Sequence, residues 1–350
     1  MKIATVLGAR PQFIKAAQVS RKIKSKKSLS EILIHTGQHF DDNMSKVFFD
    51  EMNISIPRYN LGINNLGYSK MINKMIEKIK PILLKEKING VLVYGDTNST
   101  LAASVSAKQL DIPVFHVEAG LRSFNRSMHE EKNRIITDHL SSLLFCPTAF
   151  AVKNLMHEKI LNGVIFSGDV MFDAYTRYSS FNDNFVSKLK ISDYILSTIH
   201  RRENINSAEK LFTIFNKLDQ INLDNKIIMP LHPHTKQKIE EYKIKTNITF
   251  IEPKGYITML SLLNQCKMVI TDSGGLQKES FFAKKKCLVI REQTEWVELI
   301  NQGTNALCKP ENINSVYKKI LEEESDFSKN FYGEGNSSNI IIQSIENFFS

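Results

Sequence analysis

Val91-Leu92-Val93-Tyr94-Gly95-Asp96-Thr97-Asn98-Ser99-Thr100, then Val114-Phe115-His116-Val117-Glu118-Ala119-Gly120-Leu121-Arg122-Ser123, then His129-Glu130-Glu131-Lys132-Asn133-Arg134, is the stretch that decides the fold. Val91–Tyr94 and Val114–Val117 are short apolar runs bounded by glycine and turn residues, the pattern of strands buried on both faces of a parallel sheet. Each run ends at a carboxylate, Asp96 and Glu118, and a further acidic pair, Glu130 and Glu131, follows. In an open parallel sheet, functional groups collect outside the carboxyl ends of the strands. Asp96 and Glu118 are therefore expected in one crevice, with the helix that carries Glu130 closing over it. Carboxylates in different surroundings can divide acid and base roles. For Asp96 alone the plainer reading is a helix cap; three acids in this arrangement point to chemistry.

The same alternation extends outward in both directions. Lys2–Leu7 reads as a first strand, Gly8-Ala9-Arg10 as a tight turn, and Pro11 as a favoured first helical residue. Residues 1–7 resemble the start of a signal peptide, but Gly8-Ala9-Arg10-Pro11 cuts the apolar core short, which favours the strand. Ile32–His35 is the next strand, followed by the polar loop Thr36-Gly37-Gln38-His39. Apolar spacing predicts a helix over Tyr68–Lys87, with a kink at Pro81. A small-residue helix, Leu101–Ala107, lies between the two central strands, and Leu143–Cys146 is a fifth strand. After Gly163 the pattern restarts, with strands predicted at Val164–Ser167, Tyr194–Thr198, Lys226–Leu231, Ile248–Ile251, Met268–Thr271 and Cys287–Ile290. Helices are expected between them, at Ala208–Leu218 and Met259–Gln265 among others. Alternation over both halves predicts an α/β protein of two doubly wound domains. The expected division is 1–170, 171–335 and a C-terminal helix, 336–350, that crosses back to the first domain.

A chain of 350 residues exceeds what one core usually fills, in line with two domains. Its 42% hydrophobic and 24% charged content is that of a globular protein, and no segment has the length of a membrane span. The net charge of +9 raises a nucleic-acid reading. The lysines are spread over helix faces without interleaved aromatics, so no nucleic-acid partner is expected. A phosphate-bearing small substrate suits the positive field better. Cys146, Cys266, Cys287 and Cys308 form no CxxC pair and sit in apolar runs. Buried free thiols in a cytoplasmic protein are expected, with no metal site.

Two turns look built for phosphate. Gly8-Ala9-Arg10-Pro11 with Lys15 opens a helix, whose N-terminus favours an anion. Thr271-Asp272-Ser273-Gly274-Gly275-Leu276-Gln277-Lys278-Glu279 follows a strand, and its glycines permit close backbone approach to a diphosphate. Glu279, one turn into that helix, is placed for ribose hydroxyls. His200-Arg201-Arg202-Glu203 ends another strand and offers cations to a leaving diphosphate. His232-Pro233-His234 ends the next; with no carboxylate cluster beside it, a metal is rejected.

Taken together, GARPQFIK (8–15), HTGQHFD (35–41), YGDTNST (94–100), HVEAGLRS (116–123), EEKNR (130–134), HRREN (200–204), TDSGGLQKE (271–279) and QTEWVELI (293–300) resemble the non-hydrolysing UDP-N-acetylglucosamine 2-epimerase family over nearly the whole chain. The resemblance implies two Rossmann-like domains in a glycosyltransferase-B-like arrangement, with the active site in the interdomain cleft. By matching position it implies Asp96, Glu118, Glu130 and His200 as catalytic residues. It assigns Arg10, Lys15, Glu131, Arg134, Arg201, His232, Ser273, Gly274, Gly275 and Glu279 to substrate binding. One departure is His129, where the family usually has proline before the acidic pair. The partner implied is a UDP-sugar, with no cofactor and a homodimeric state. QTEWVE and the opening motif look similar to the branch acting on UDP-2,3-diacetamido-2,3-dideoxyglucuronate, used for surface polysaccharides. A UDP-sugar-dependent glycosyltransferase of the same fold is the competing reading, but it has no need of three acids in the first domain. Gln38 and His39 mark the loop in which a second, activating UDP-sugar site would be sought.

Overall fold

The structure, a computed structural model, describes residues 1–38, 51–52, 54–181, 185–189 and 191–350. The Arg10 side chain and His39 lie outside the described set.

The chain forms two compact units, one of Met1–Thr176 with Asn330–Ser350, the other of Arg177–Lys329. The first holds an all-parallel seven-stranded sheet in the order β3-β2-β1-β4-β5-β6-β7. Its strands are β1 (Lys2–Leu7), β2 (Ser30–His35), β3 (Tyr59–Asn60), β4 (Gly90–Tyr94), β5 (Val114–Val117), β6 (Leu143–Cys146) and β7 (Val164–Phe166). Every residue of β4, β5 and β6 is buried, which is why these runs are apolar throughout rather than alternating. The helix Asn98–Lys108 is lined with Ala102, Ala103, Ser104, Ser106 and Ala107, all buried, and small side chains let it lie close to the sheet. Helix Tyr68–Lys85 lays Met71, Ile72, Met75, Ile79 and Leu83 against the same core, and it continues through Pro81. At its other end the unit is completed by helix Ser337–Phe348. The Asp173 carboxylate accepts the Ser337 and Ser338 N–H groups at 3.0 and 2.8 Å, satisfying orphan donors of its first turn. The Phe348 and Phe349 rings meet Phe115 edge-on at 5.3 and 5.8 Å.

The second unit holds a parallel six-stranded sheet, β10-β9-β8-β11-β12-β13. The strands are β8 (Ile195–Thr198), β9 (Ile227–Pro230), β10 (Thr249–Ile251), β11 (Met268–Thr271), β12 (Cys287–Ile290) and β13 (Asn305–Cys308). Ile195, Ile227, Met229, Ile270 and Leu288 join Ile214, Phe215 and Leu218 of helix Ala208–Asn222 in one core. The two-domain α/β architecture read from the alternation is thus what the chain adopts. The strands not foreseen are β3, two residues long, and β13, which opens on Asn305 and carries only a weak apolar signal.

All four cysteines are buried and unbonded, and burial pushes the thiols of Cys266, Cys287 and Cys308 up to about 12. Among the described residues no helix is long and apolar enough to cross a membrane.

Candidate functional site

Each sheet reverses its strand order once, the first between β1 and β4 and the second between β8 and β11. Such a reversal opens a crevice at the carboxyl ends of the two strands. Most of the residues singled out from sequence stand at these two places.

In the first unit, Gly8 follows β1 in a turn so tight that a Cβ would lie 2.0 Å from Ser99 Oγ and 2.2 Å from Thr36 Oγ1. The Gly8 and Ala9 N–H groups both donate to Gln12 Oε1, at 2.8 and 3.0 Å. Gln12 in turn donates from Nε2 to Tyr94 O and Thr97 Oγ1 beyond β4. This differs from the expected anion site: two of the turn's N–H groups already serve a side chain that ties β1 to β4. Lys15, expected at phosphate, points its ammonium at Glu118 Oε1, 2.5 Å away, and both residues are 8% exposed. Glu118 itself sits at φ +70°, a left-handed backbone that costs a non-glycine residue and recurs at functional sites. Beneath this pair lies Gly95, whose notional Cβ would be 3.3 Å from Lys15 Nζ and 3.4 Å from Glu118 Oε1.

Asp96 comes next in the chain, and it is not the helix cap. Thr97 is, its side chain accepting from Thr100 N–H at 3.2 Å. The Asp96 carboxylate instead takes Arg134 Nε and Nη2 at 3.0 and 2.8 Å, with its side chain still 31% exposed. Glu131, the second of the acidic pair, is 1% exposed. Its carboxylate accepts from Ser123 N–H and Oγ, Phe124 N–H and Arg134 Nη1. A carboxylate so occupied anchors the 121–124 loop and aims Arg134, a different task from the substrate contact expected of it. Glu130 faces outward and is exposed, in the first turn of helix His129–Leu140. His129, where proline was expected, stacks on Tyr68 at 4.0 Å, and Tyr68 Oη donates to Asn133 of the same helix. Ring stacking thus steadies the turn that a proline would have stiffened.

In the second unit, Asp272 after β11 is fully buried and accepts from His200 N–H, Arg201 N–H and Asn204 Nδ2. It shapes the turn after β8 so that His200 and His232 rings lie 5.9 Å apart at 27°. Ser273 caps helix Gly274–Phe282, whose first-turn N–H groups have no intrahelical acceptor. A Cβ on Gly275 would meet open space, and one on Gly274 would lie 2.7 Å from Glu295 Oε1. Arg201 is paired with Glu203 at 3.1 Å; burial works against its charge, but Glu295 and Glu203 outweigh it and hold the guanidinium more firmly protonated. Glu279 stands one turn further along the helix, half-buried.

Two places before QTEWVE stands an arginine whose role no local pattern reveals. Arg291, just past β12, is 6% exposed and binds Glu295 at 3.0 Å through Nη2. Its Nη1 is buried, has no hydrogen-bond partner among the described residues and lies 3.8 Å from the notional Cβ of Gly274. A buried guanidinium nitrogen in that condition beside a helix N-terminus is a candidate anion contact. The one sequence clue is its place directly after a strand of the second sheet.

The residues thus gather into a carboxylate set with its own cations in the first unit and a glycine turn ringed by cations in the second. The chain also resembles known proteins over its whole length. The profile of the family described as UDP-N-acetylglucosamine 2-epimerase matches residues 21–346. The chain is 46% identical to a UDP-N-acetylglucosamine 2-epimerase homolog of Methanococcus maripaludis, over 99% of this chain and 100% of that one. It is 42% identical to the UDP-2,3-diacetamido-2,3-dideoxy-D-glucuronate 2-epimerase of Pseudomonas aeruginosa, over 98% and 99%. Among solved structures, Methanocaldococcus jannaschii UDP-GlcNAc 2-epimerase in complex with UDP-GlcNAc and UDP superposes with a TM-score of 0.93 at 37% identity. That match covers 99% of this chain and 100% of the other.

Proposed function

Because the chain belongs to the UDP-N-acetylglucosamine 2-epimerase family, we propose that it inverts C2 of a UDP-N-acetylhexosamine without hydrolysing it. The observation that carries this reading is the pair Asp96 and Glu118. Both stand at the ends of adjacent strands around Gly95, each on a buried cation, and neither is used as a cap.

The C2–H of such a sugar is not next to a carbonyl, so its direct removal is unfavourable. Elimination solves this. A carboxylate takes the C2 proton as the C1–O bond breaks, and the bonding electrons leave with UDP, giving a 2-acetamidoglucal. A second carboxyl group, in its protonated form, then gives its proton to C2 from the opposite face and becomes a carboxylate, while a diphosphate oxygen re-forms the bond to C1. The route needs two proton carriers and a cationic cradle for the departing diphosphate. Asp96, Glu118 and Glu130 are the candidate carriers. Within the second unit, Arg201, His200, His232, Arg291 and the Ser273–Gly275 turn are the candidate cradle, with Glu279 for the ribose. Lys15 and Arg134 keep the carboxylates in place. We further propose a cytoplasmic homodimer that supplies precursors of surface polysaccharide.

Two substrates have support: UDP-N-acetylglucosamine, from the named relatives as a group, and the 2,3-diacetamido glucuronate, from the Pseudomonas relative. Proton NMR of each incubated with the protein in D2O tests the reading. The expected product is the manno isomer bearing deuterium at C2, with UDP still attached. Free sugar plus UDP would mean hydrolysis, and no exchange with either substrate would defeat the proposal.

A further inference from the structure

Beneath the Asp96 and Glu118 turns lies a buried charged cluster that none of the preceding roles uses. His116, on β5 two residues before Glu118, is 0% exposed. Its Nδ1 is 2.7 Å from Asp138 Oδ1 and its Nε2 is 2.8 Å from the backbone carbonyl of Gly95. Asp138 is 1% exposed, and its other oxygen accepts from Arg122 Nη1 at 2.7 Å and from Gly120 N–H at 3.2 Å. Arg122 closes the set with a two-pronged contact to Glu158, at 2.7 Å on each side.

The proton inventory follows from the partners. A backbone carbonyl can only accept, and so can an ionised carboxylate. Asp138 is ionised: Arg122 Nη1 and Gly120 N–H both donate to its Oδ2, and although burial raises its carboxyl, its surroundings hold it below the usual range. A neutral imidazole has one N–H and one lone pair, so at this fully buried position it would press that lone pair against an oxygen. Protonation on both ring nitrogens satisfies both contacts. It also leaves the cluster balanced, His116 and Arg122 against Asp138 and Glu158.

We propose that His116 is a fully buried imidazolium that clamps the Asp96 turn to the strand carrying Glu118, and so is a positioning residue for proton transfer. Gly95 is then held from β5 at both ends: its N–H donates to Val117 O at 2.9 Å and its carbonyl accepts from His116. Because Gly95 is also the floor under the Lys15–Glu118 pair, the clamp fixes the spacing of the two carboxylates. The catalytic half of this inference rests on the proposed epimerisation; the protonation state does not.

The test uses the full-length protein labelled with 15N-histidine, at neutral pH. Two slowly exchanging ring N–H signals are expected from His116, identified by their loss in His116→Gln. Asp138→Asn removes the counterion, and one of the two signals should vanish with it, which also serves as the assignment if His116→Gln does not fold. In the folded His116→Gln variant, kcat should fall about 10- to 100-fold, as for a small misplacement of reacting groups, while the Kd for UDP stays within about twofold. A single ring N–H in the wild type would overturn the imidazolium, and an unchanged kcat would overturn the clamp. Failure of the wild type to exchange C2 protons would count against the epimerase reading, with the ring-proton count still deciding the charge.

Discussion

Two turns of this protein share one local grammar and put it to opposite use. After β4 the chain reads Gly95-Asp96-Thr97, and after β11 it reads Thr271-Asp272-Ser273. In both, the hydroxyl residue caps the next helix and the aspartate precedes it. Asp272 is fully buried and its carboxylate serves two backbone N–H groups and Asn204. Asp96 keeps a side chain that is 31% exposed and is oriented by one arginine. A carboxylate saturated by fixed donors can neither take nor give a proton readily, whereas one held from a single side can. Under the proposed epimerisation, the difference assigns chemistry to the first turn and binding to the second.

That division has a strong test. Asp96→Asn and Glu118→Gln preserve shape and remove the proton carrier, so each is expected to lower turnover by about a thousandfold. UDP binding, followed by calorimetry, should move by less than about threefold. Equal losses of turnover and UDP affinity would erase the distinction between the two turns. On the binding side, Gly274→Ala places a Cβ 2.7 Å from Glu295 Oε1, in the mouth of the turn where backbone must approach the ligand. UDP affinity should fall about 10- to 100-fold, a cost of the size of one charge-assisted contact. A Gly274→Ala variant that binds UDP normally but fails to exchange C2–H would reverse the assignment.

How much of this could be read in advance depends on what each residue touches. The strands were legible because four-residue apolar runs ending at glycine or proline have few other uses in a chain of this size. β13 was not, because Asn305-Ala306-Leu307-Cys308 is buried only at its ends and carries little apolar signal. The acids were legible as a group but not individually. Glu130 and Glu131 are neighbours of one type, and only the helix phase sends one outward and the other into the loop at Ser123. Lys15 looked like a phosphate ligand from its place after a turn, yet its partner, Glu118, lies 103 residues further along the chain. Arg291 was passed over because its meaning comes from Gly274, which reaches it only through the pairing of β11 with β12. Local pattern names the candidates; long-range pairing assigns their work.

The smallest expected effect probes the cap itself. Thr97 Oγ1 accepts from Thr100 N–H and from Gln12 Nε2, so the hydroxyl ends the helix and ties it to the Gly8 turn. Thr97→Ala removes the cap at a cost of about 1 kcal/mol, measurable as a shift in the denaturant midpoint at constant slope. Aspartate is a favoured capping residue, so the variant offers Asp96 a competing partner one position upstream. Arg134 opposes that exchange with two contacts, backed by Glu131 on its other nitrogen. Turnover should therefore stay within about threefold of wild type, because a charge-assisted pair outweighs a cap. A turnover loss matching that of Asp96→Asn would mean that the hydroxyl, rather than the arginine, is what keeps Asp96 available for chemistry, and Thr97→Ser should then restore it.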